Sequence, residues 1–232
     1  DDPMGKRCST LDINMVTSLS SKDCLDGIKK LMSKSFTHAE VSFSSFIVSS
    51  YFVIRDKYPE LDSYLMINIG GEITDVGIIS GGILKASLSF PFGKKTFFKS
   101  LTKKLGGKLR DAEEMMTLYD HDNLDETRKK KLLPMLQSIE NSWGESFRKC
   151  IDTLSHTYTL PNTIFLTVNQ DMKKWFTEVV CNQEYVQPIS GHKCTVITLD
   201  GKEFLDMCHY NDGECDPFLV MGAISIMKKL DI

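Results

Sequence analysis

The sequence lacks any apolar run approaching the roughly 18 residues that a membrane-spanning helix requires. An apolar stretch at residues 44–54 is short and is broken by serines. The N-terminal residues also lack the succession of basic residues, apolar run and small-residue cleavage site that is typical of a secretory signal. The sequence therefore predicts no transmembrane segment and no secretory signal.

Charge of a single sign is scarce as well. The chain has 28 lysine and arginine residues against 31 aspartate and glutamate residues, which gives a formal net charge of −3. Its basic run at Arg128–Lys131 lies among helix-forming residues, which is typical of a solvated helix face rather than of a nucleic-acid patch. We therefore expect no nucleic-acid partner.

The cysteines follow no pairing pattern. There are 7 of them, an odd number, and in a chain of this length they indicate reduced thiols in a cytosol-like compartment. His192, Cys194, Cys208, His209 and Cys215 lie close together in the sequence, which suggests zinc. However, no Cys-x2-Cys pair is present, and such a pair is the usual element of a structural zinc site. We predict no metal site and a cytoplasmic location.

The rest of the composition is that of an ordinary globular protein. The 232 residues are 41% hydrophobic and 25% charged, enough for one domain or two small ones with a substantial core. The first residues, Asp1-Asp2-Pro3, include no initiator methionine. We therefore expect the chain to be a piece of a longer protein.

Hydrophobic periodicity predicts an α/β protein with a mixed sheet. Strands are predicted at residues 11–17, 39–43, 64–69, 73–79, 83–90, 163–167 and 194–199. The strand at 163–167 is predicted to lie in the same sheet as the strand at 64–69 and parallel to it. Helices are predicted at residues 25–36, 46–54, 96–105, 109–119, 124–156, 171–181, 201–208 and 217–230. The region 124–156 is either one long helix or two helices joined near Pro134.

The last predicted helix is strongly apolar. Asp216 is a candidate for its N-cap and Pro217 for its first position. A membrane-seeking tail would need basic residues opposite an aromatic-rich face, and only Lys228 and Lys229 are available. We therefore expect this helix to dock onto the segment around Phe46 and Ile54.

A glycine hairpin is the segment most suggestive of chemistry. The run at 64–69 is apolar throughout, as in a strand buried on both faces, and Gly70-Gly71 and Gly81-Gly82 then break the chain into an antiparallel three-strand meander. Glycine lets backbone N–H groups approach an anion closely, Asn68 could hold a metal-bound water, and Thr74 could donate to a phosphate oxygen. By itself the segment is equally consistent with a plain β-turn.

The order of motifs after this hairpin resembles that of the actin-like ATPase superfamily, which has the sugar kinase/Hsp70/actin fold. Asn68-Ile69-Gly70-Gly71-Glu72-Ile73-Thr74-Asp75 is followed by Gly81-Gly82, the corner Pro91-Phe92-Gly93, a helix from Thr96 and the pair Ala112-Glu113. Within the superfamily the pattern is most similar to the cell-division FtsA family and the type IV pilus assembly PilM family.

The resemblance implies a ribonuclease-H-like mixed sheet that forms the C-terminal half of an actin-like two-domain fold. Residues 1–60 would be a remnant of the first half, with its inserted subdomain as one option for this segment. Residues 61–232 would be the second half, with a helical subdomain near residues 107–160. In this fold the nucleotide lies between the halves, so the first phosphate loop is expected upstream of Asp1.

The resemblance also implies a nucleotide site with several altered elements. Its cofactor-binding residues would be Asn68, Gly70, Gly71, Glu72, Thr74, Gly93 and Glu113. Asn68 stands where the family has a carboxylate near Mg²⁺, residues 168–171 contain no glycine where the family has a glycine-rich adenosine loop, and Met116 stands where it has a lysine. ATP and Mg²⁺ are therefore expected to bind weakly or not at all, and no catalytic residue is assigned.

These departures favour a scaffold over an enzyme. The resemblance implies an actin-like cytoskeletal or assembly scaffold in bacterial cell division or pilus assembly, with an active ATP-hydrolysing switch or filament as the alternative. A DNA-segregation filament shares the fold and stays open, whereas nothing in the sequence marks a sugar or acetate kinase. The expected partner is a membrane-associated or cytoskeletal protein that recruits the chain to the inner membrane, and self-association stays open.

Overall fold

The computed structural model describes residues 15–183, 194–208 and 215–229, together with residues 5, 7, 9 and 10. The strands are β1 (Tyr64–Ile69), β2 (Thr74–Ser80), β3 (Ile83–Phe90), β4 (Thr163–Val168) and β5 (Thr195–Thr198). The helices are α1 (Lys22–Ser35), α2 (Phe46–Lys57), α3 (Lys94–Leu105), α4 (Leu109–Asp120), α5 (Glu126–Ser155), α6 (Lys173–Cys181) and α7 (Pro217–Lys229). Two short 3₁₀ helices span Gln170–Met172 and Gly201–Phe204.

The strands form one five-stranded mixed sheet in the order β3-β2-β1-β4-β5. Strands β1, β2 and β3 are antiparallel neighbours, whereas β4 pairs in parallel with both β1 and β5. Gly81 and Gly82 have φ values of 60° and 68°, the left-handed conformation that a tight two-residue hairpin turn requires. The predicted meander and the predicted parallel pairing of the strand at 163–167 are both confirmed.

Strand β1 lies at the centre of the sheet and is buried along its whole length. Because successive side chains point to opposite faces, β1 contributes to two separate cores. On one face Leu65, Ile67 and Ile69 belong to a core with residues of α3, α4, α5 and α6. On the other face Tyr64 and Met66 belong to a core with residues of α2 and α7. The continuous apolar run therefore results from burial on both sides.

Helices α2 and α7 lie side by side on the second face of the sheet. The rings of Phe46 and Phe218 have centroids 4.8 Å apart near the two N-termini, and Lys228 pairs with Asp56 near the two C-termini. Ile54 belongs to the same buried core as residues of α7. As predicted from the sequence, the last helix docks onto the segment around Phe46 and Ile54.

Three local expectations differ from the structure. Residues 39–43 form no strand, because none of the strands in the described residues pairs with them to supply ladder hydrogen bonds, and Phe43 is exposed. The predicted strand at 11–17 falls partly outside the described residues, and residues 15–17 are not in a strand. Helix α3 begins at Lys94 rather than after Thr96, because Gly93 occupies the N-cap position.

The long helix α5 runs without interruption through Pro134, which decides the alternative left open by the sequence. Proline removes one main-chain hydrogen bond inside a helix. Pro134 and Lys130 are both exposed, so water can satisfy the carbonyl group that loses its partner. In the described part of the chain, no helix combines the length and the apolar character needed to span a bilayer.

Candidate functional site at the carboxyl edge of the sheet

The carboxyl ends of the parallel strands β1, β4 and β5 meet at one edge of the sheet, which is where ligands bind in open α/β sheets. A cavity of about 540 Å³ opens at this edge. It is lined by polar and charged residues from the segments that follow β4 and β5 and from the starts of α3 and α7, among them Lys94, Asn169, Asp171, Asp200, Lys202 and Asp216. This cavity is the candidate functional site.

The glycine hairpin closes tightly and contacts the start of α3. Within the hairpin the amide of Gly70 donates to the carbonyl of Ile73 at 2.9 Å. The amides of Lys94 and Lys95 donate to the carbonyls of Gly70 and Gly71 at 2.9 and 2.7 Å. These are two of the four N–H groups that a helix start leaves without intrahelical partners. The hairpin therefore uses donors that an anion would need.

Gly93 lies directly against the hairpin. A methyl group built on Gly93 would be 2.5 Å from the carbonyl oxygen of Gly70 and 2.8 Å from the amide nitrogen of Glu72. Both neighbours are backbone atoms, which cannot swing away as a flexible side chain could. The structure thus brings the predicted residues Gly70, Gly71, Glu72 and Gly93 together, and glycine is required at position 93 by this contact.

Thr74 is fully buried and both of its hydrogen-bonding functions are used inside the protein. Its hydroxyl donates to the carbonyl of Phe92 at 2.6 Å and accepts from the indole N–H of Trp143 at 3.3 Å. The hydroxyl therefore links the hairpin to the corner before α3 and to the long helix α5. The predicted donation from Thr74 to a phosphate would require these contacts to break.

Asn68 lies beneath α2 and is 1% exposed. Its side-chain amide donates to the hydroxyl of Ser50 at 3.1 Å, and that hydroxyl in turn donates to the carbonyl of Ile47 at 3.1 Å. The Oδ1 atom of Asn68 is buried and has no hydrogen-bond partner among the described residues. Asn68 pairs in register with Thr167, whose Oγ1 atom is also buried without such a partner.

The two predicted acidic residues lie on the surface. Glu72 is exposed at the hairpin tip, where Lys95 Nζ is 3.3 Å from its carboxylate. Glu113 is exposed on α4 and borders a shallow depression with Arg110 and Thr117. Met116, one turn later on α4, is buried in the core. Glu72 is thus part of the hairpin, whereas Glu113 does not line the carboxyl-edge cavity.

The charged groups around the cavity are largely paired with one another. Lys94 Nζ lies 2.5 Å from the carboxylate of Asp171, and Lys173 Nζ lies 3.2 Å from that of Asp200. Burial acts to raise the pKa of Asp200, but hydrogen bonds from the Lys202 amide and from Lys173 outweigh it, so the pKa is lowered below its ordinary value. Asp200 is therefore a stable anion that neutralises the nearest cations.

The N-terminus of α7, which faces the same edge, is also occupied. Asp216 accepts hydrogen bonds from the amides of Phe218 and Leu219 at 2.8 and 3.4 Å. Its other oxygen accepts from the side-chain amide of Asn169 at 2.8 Å. A helix N-terminus attracts phosphate through its free N–H groups. Here the carboxylate of Asp216 takes that position.

Sequence reasoning identified the hairpin but missed most residues that line the cavity. Asn169, Asp171, Asp200 and Lys202 directly follow β4 and β5. The available signal was a polar cluster after each of the two predicted strands at 163–167 and 194–199, because the carboxyl ends of parallel strands meet at one edge. The sequence predicted Asp216 only as the N-cap of the last helix. The structure confirms this, because the amide of Phe218 donates to its carboxylate.

The cysteine-rich segment considered for zinc is only partly described. Cys194 is buried, Cys208 and Cys215 are half-buried, and His192 and His209 lie outside the described residues. Among the residues with described positions, no group of three or more histidine, cysteine, aspartate or glutamate side chains could hold a metal ion.

Comparisons with known proteins identify similarity at the level of structure. No protein-family model and no curated protein sequence matches the chain. The fold is similar to that of a chain in the PilM–PilN type IV pilus biogenesis complex, with a TM-score of 0.58 and 12% identity over 88% of this chain and 57% of that chain. This chain thus spans little more than half the length of that relative.

Two further solved structures are similar at lower scores. The ethanolamine utilization protein EutJ from Carboxydothermus hydrogenoformans has a TM-score of 0.47 and 14% identity over 75% of this chain and 53% of its own. MreB 5 of Spiroplasma citri, bound to AMPPNP, has a TM-score of 0.47 and 14% identity over 91% of this chain and 67% of its own. The mixed sheet and the similarity to the PilM–PilN structure confirm the predicted fold class, and the chain has an actin-like fold.

Proposed function

We propose that this chain is the second half of an actin-like assembly scaffold whose nucleotide site has been converted to structural use. The observation that carries the proposal is the internal use of the phosphate-binding groups. The hydroxyl of Thr74 bonds to Phe92 and Trp143, and the first amides of α3 bond to the carbonyls of Gly70 and Gly71. A ligand phosphate would have to displace these partners.

The charge distribution supports the same proposal. ATP carries several negative charges, and a site for it needs free cations or free N–H groups. Lys94 and Lys173 are paired with Asp171 and Asp200, and Asp216 covers the start of α7. The carboxylate of Asp216 repels phosphate, and the amide of Asn68 brings no charge to Mg²⁺. ATP and Mg²⁺ are accordingly weak or absent ligands of this chain.

We further propose that residues 1–60 are the end of a first actin-like half and that residues 61–232 are the second half, with α4 and α5 as its helical subdomain. Helix α1 supports this division, because it has no buried residue. Leu25, Ile28 and Met32 lie along one side of α1, and Phe36 follows at its C-cap, whereas most of the lysines and aspartates lie along the other side. Such an apolar stripe normally faces a core. A sheet of the first half would cover it.

The outer face of α7 points to the same arrangement. Leu219 and Ile226 are 70% and 59% exposed, and no charged residue occurs between residues 217 and 227. A helix that is apolar all round is usually buried on both sides. The inner side of α7 is covered by the sheet core, and the outer side would contact the first half or a protein partner.

The proposed cellular role follows from the fold and from the exposed apolar surfaces. The solved structure with a TM-score of 0.58 is a complex of PilM and PilN from type IV pilus biogenesis. We propose that this chain likewise acts in the cytoplasm as a scaffold for pilus assembly or cell division, recruited to the inner membrane by a membrane-associated or cytoskeletal partner. Self-association through the exposed faces is part of the proposal. The competing function is an ATP-driven switch, which the size of the carboxyl-edge cavity would permit.

Nuclear magnetic resonance can test on the chain itself whether the groups at the hairpin and after β4 bind a nucleotide. ATP-Mg²⁺ is titrated into the labelled chain to millimolar concentration, and the amide signals of Gly70, Gly71 and residues 169–171 are followed. We expect no saturable shift at these positions. Inorganic phosphate serves as a control for non-specific anion binding. A saturable shift confined to these amides would overturn the scaffold proposal in favour of the switch.

A further inference from the structure

The segment that contains α3 carries only positive charge. Between Asp75 and Asp111 the sequence has no acidic residue. The ionised side chains of this interval are all basic, namely Lys85, Lys94, Lys95, Lys99, Lys103, Lys104, Lys108 and Arg110. The chain as a whole has a formal net charge of −3. This segment therefore differs sharply in charge from the rest of the protein.

Helix α3 presents its lysines on the side that faces solvent. Phe97 and Leu101 are buried in the core between α3 and the sheet. Lys95, Lys99 and Lys103 follow one another at intervals of four residues, and all three are exposed on the opposite side of the helix. At 1.5 Å per residue, this row is about 12 Å long. The helix thus has one apolar side and one side with a row of positive charges.

Two neighbouring elements extend the row. Lys104 Nζ donates to the hydroxyl of Ser138 at 2.8 Å, so the C-terminal end of α3 lies against α5. Lys131 is exposed two turns before Ser138, and it therefore lies on the same side of α5. Lys108 is exposed just after the turn at residues 106–107. The term basic surface is used below for Lys95, Lys99, Lys103, Lys104, Lys108 and Lys131.

Most of this positive charge has no carboxylate partner in the described part of the chain. Lys95 Nζ lies 3.3 Å from the carboxylate of Glu72, and both side chains are exposed. Lys99, Lys103 and Lys108 form no ion pair with any residue of described position. Like charges four residues apart on a helix repel each other and destabilise the helix. An anionic partner would remove this repulsion.

The side chains of the basic surface favour a lipid membrane over a nucleic acid. All of its cations are lysines, which act as point charges, whereas arginine supplies the bidentate geometry that reads phosphates and base edges. Residues 94–138 include no exposed aromatic ring that could stack on a base. Leu109 is 52% exposed and lies between Lys108 and Arg110. An apolar side chain among basic ones suits the headgroup region of a bilayer.

We propose that the basic surface binds the face of an anionic phospholipid membrane, an inference that rests on the proposed recruitment of this chain to a membrane. The lysines of α3 and α5 lie on the side of the sheet that α3, α4, α5 and α6 cover, whereas α2 and α7 cover the other side. Contact with lipid therefore leaves the exposed apolar residues of α7 available to the first half or to a protein partner.

Vesicle sedimentation with the full chain tests the proposal. Vesicles of phosphatidylcholine alone are compared with vesicles of equal parts phosphatidylcholine and phosphatidylglycerol. We expect the chain to sediment only with the anionic vesicles and to be released as the salt concentration rises. The double variant Lys99→Glu with Lys103→Glu should bind the anionic vesicles at least about tenfold more weakly.

The matched control is Lys30→Glu with Lys34→Glu on α1. It makes the same change in net charge at the same spacing on an exposed helix, and its binding should stay within about twofold of that of the unaltered chain. Lys99→Gln with Lys103→Gln removes the two charges without reversing them. This variant keeps the comparison decisive if the glutamate variant fails to fold.

Three results would overturn the proposal. The first is equal sedimentation with the two kinds of vesicle, including none with either. The second is a loss of binding in the α1 control that equals or exceeds the loss in the α3 variant, which would place the contact on α1. The third is tighter binding to a labelled DNA duplex than to the anionic vesicles in the same buffer. None of these results affects the nucleotide titration, so failure of this proposal is distinguishable from failure of the scaffold proposal.

Discussion

Replacing Gly93 by alanine should destabilise the fold through a single backbone contact. The added methyl group would lie 2.5 Å from the carbonyl oxygen of Gly70 and 2.8 Å from both the amide nitrogen of Glu72 and the carbonyl carbon of Gly71. No flexible side chain can move aside, so the hairpin and the start of α3 must separate. Gly93 itself has φ −140°, which alanine adopts freely, so backbone strain at Gly93 makes no contribution.

The magnitude follows from what the separation disrupts. Overpacking in a tight site costs about 1–3 kcal/mol. The hydrogen bonds from Lys94 and Lys95 to the hairpin carbonyls contribute about 0.5–1.5 kcal/mol each, and part of this is lost when they lengthen. Alanine recovers about 0.4–1 kcal/mol through the lower entropy of the unfolded chain. We expect Gly93→Ala to lower the free energy of unfolding by about 2–4 kcal/mol.

Urea denaturation followed by circular dichroism provides the measurement. Gly71→Ala is the matched control in the same hairpin, because its methyl group would meet only Lys95 Cε, at 3.7 Å. That variant should unfold within about 0.5 kcal/mol of the unaltered chain. Equal stability of Gly93→Ala and Gly71→Ala would refute the reasoning, because it would show that the contact with Gly70 does not constrain the hairpin.

Three further predictions concern hydrogen bonding, pH and packing. Thr74→Val should lower the free energy of unfolding by about 1–3 kcal/mol, because the buried indole N–H of Trp143 loses its acceptor, whereas Thr74→Ser should lose less; urea titrations compare the two. Because the folded pKa of Asp200 is lowered, its stabilisation is present above pH about 4 and is lost as pH falls through the folded pKa. Urea titrations of Asp200→Asn should therefore differ from those of the unaltered chain at pH 7 and converge with them at the acid end. Leu31→Ala on exposed α1 should change the free energy of unfolding by less than about 0.5 kcal/mol, whereas Ile54→Ala in the core should cost about 2–5 kcal/mol; a large effect of Leu31→Ala would contradict the exposure of α1.

The sheet was predictable because its signals are local in the sequence. Two glycine pairs mark the turns of the meander, and the unbroken apolar run at Tyr64–Ile69 marks a strand with two covered faces. The strand at Thr163–Val168 could be paired with β1 only through the resemblance to a known fold, since the partners are about a hundred residues apart. The failed strand at residues 39–43 shows the converse. Its local pattern is typical of a strand, but no strand among residues 15–183, 194–208 and 215–229 pairs with it.

The candidate site was predictable only in part, because its key contacts join distant residues. The hydroxyl of Thr74 meets the indole of Trp143, which lies 69 residues further along the chain. Asn68 meets Ser50 on a helix that no local pattern associates with the hairpin. The spacing of these residues in the sequence therefore suggested that the side chains of Asn68 and Thr74 are free to bind a metal-bound water or a phosphate. The tertiary contacts show the same groups occupied by the protein.

The hydrogen bonds between the hairpin and α3 reduce the free energy that a nucleotide could gain by binding there. An anion at the start of α3 must replace the carbonyls of Gly70 and Gly71 as acceptors for the amides of Lys94 and Lys95. Those carbonyls would then need new donors, and a phosphate oxygen supplies none. A hydrogen bond to a charged acceptor contributes more free energy than one to a neutral acceptor, but the carbonyls of Gly70 and Gly71 would have to exchange their protein donors for water. The exchange therefore gives a nucleotide little net gain at the hairpin. The cavity adds little attraction, because Lys94 and Lys173 are already paired with Asp171 and Asp200 and the carboxylate of Asp216 repels phosphate.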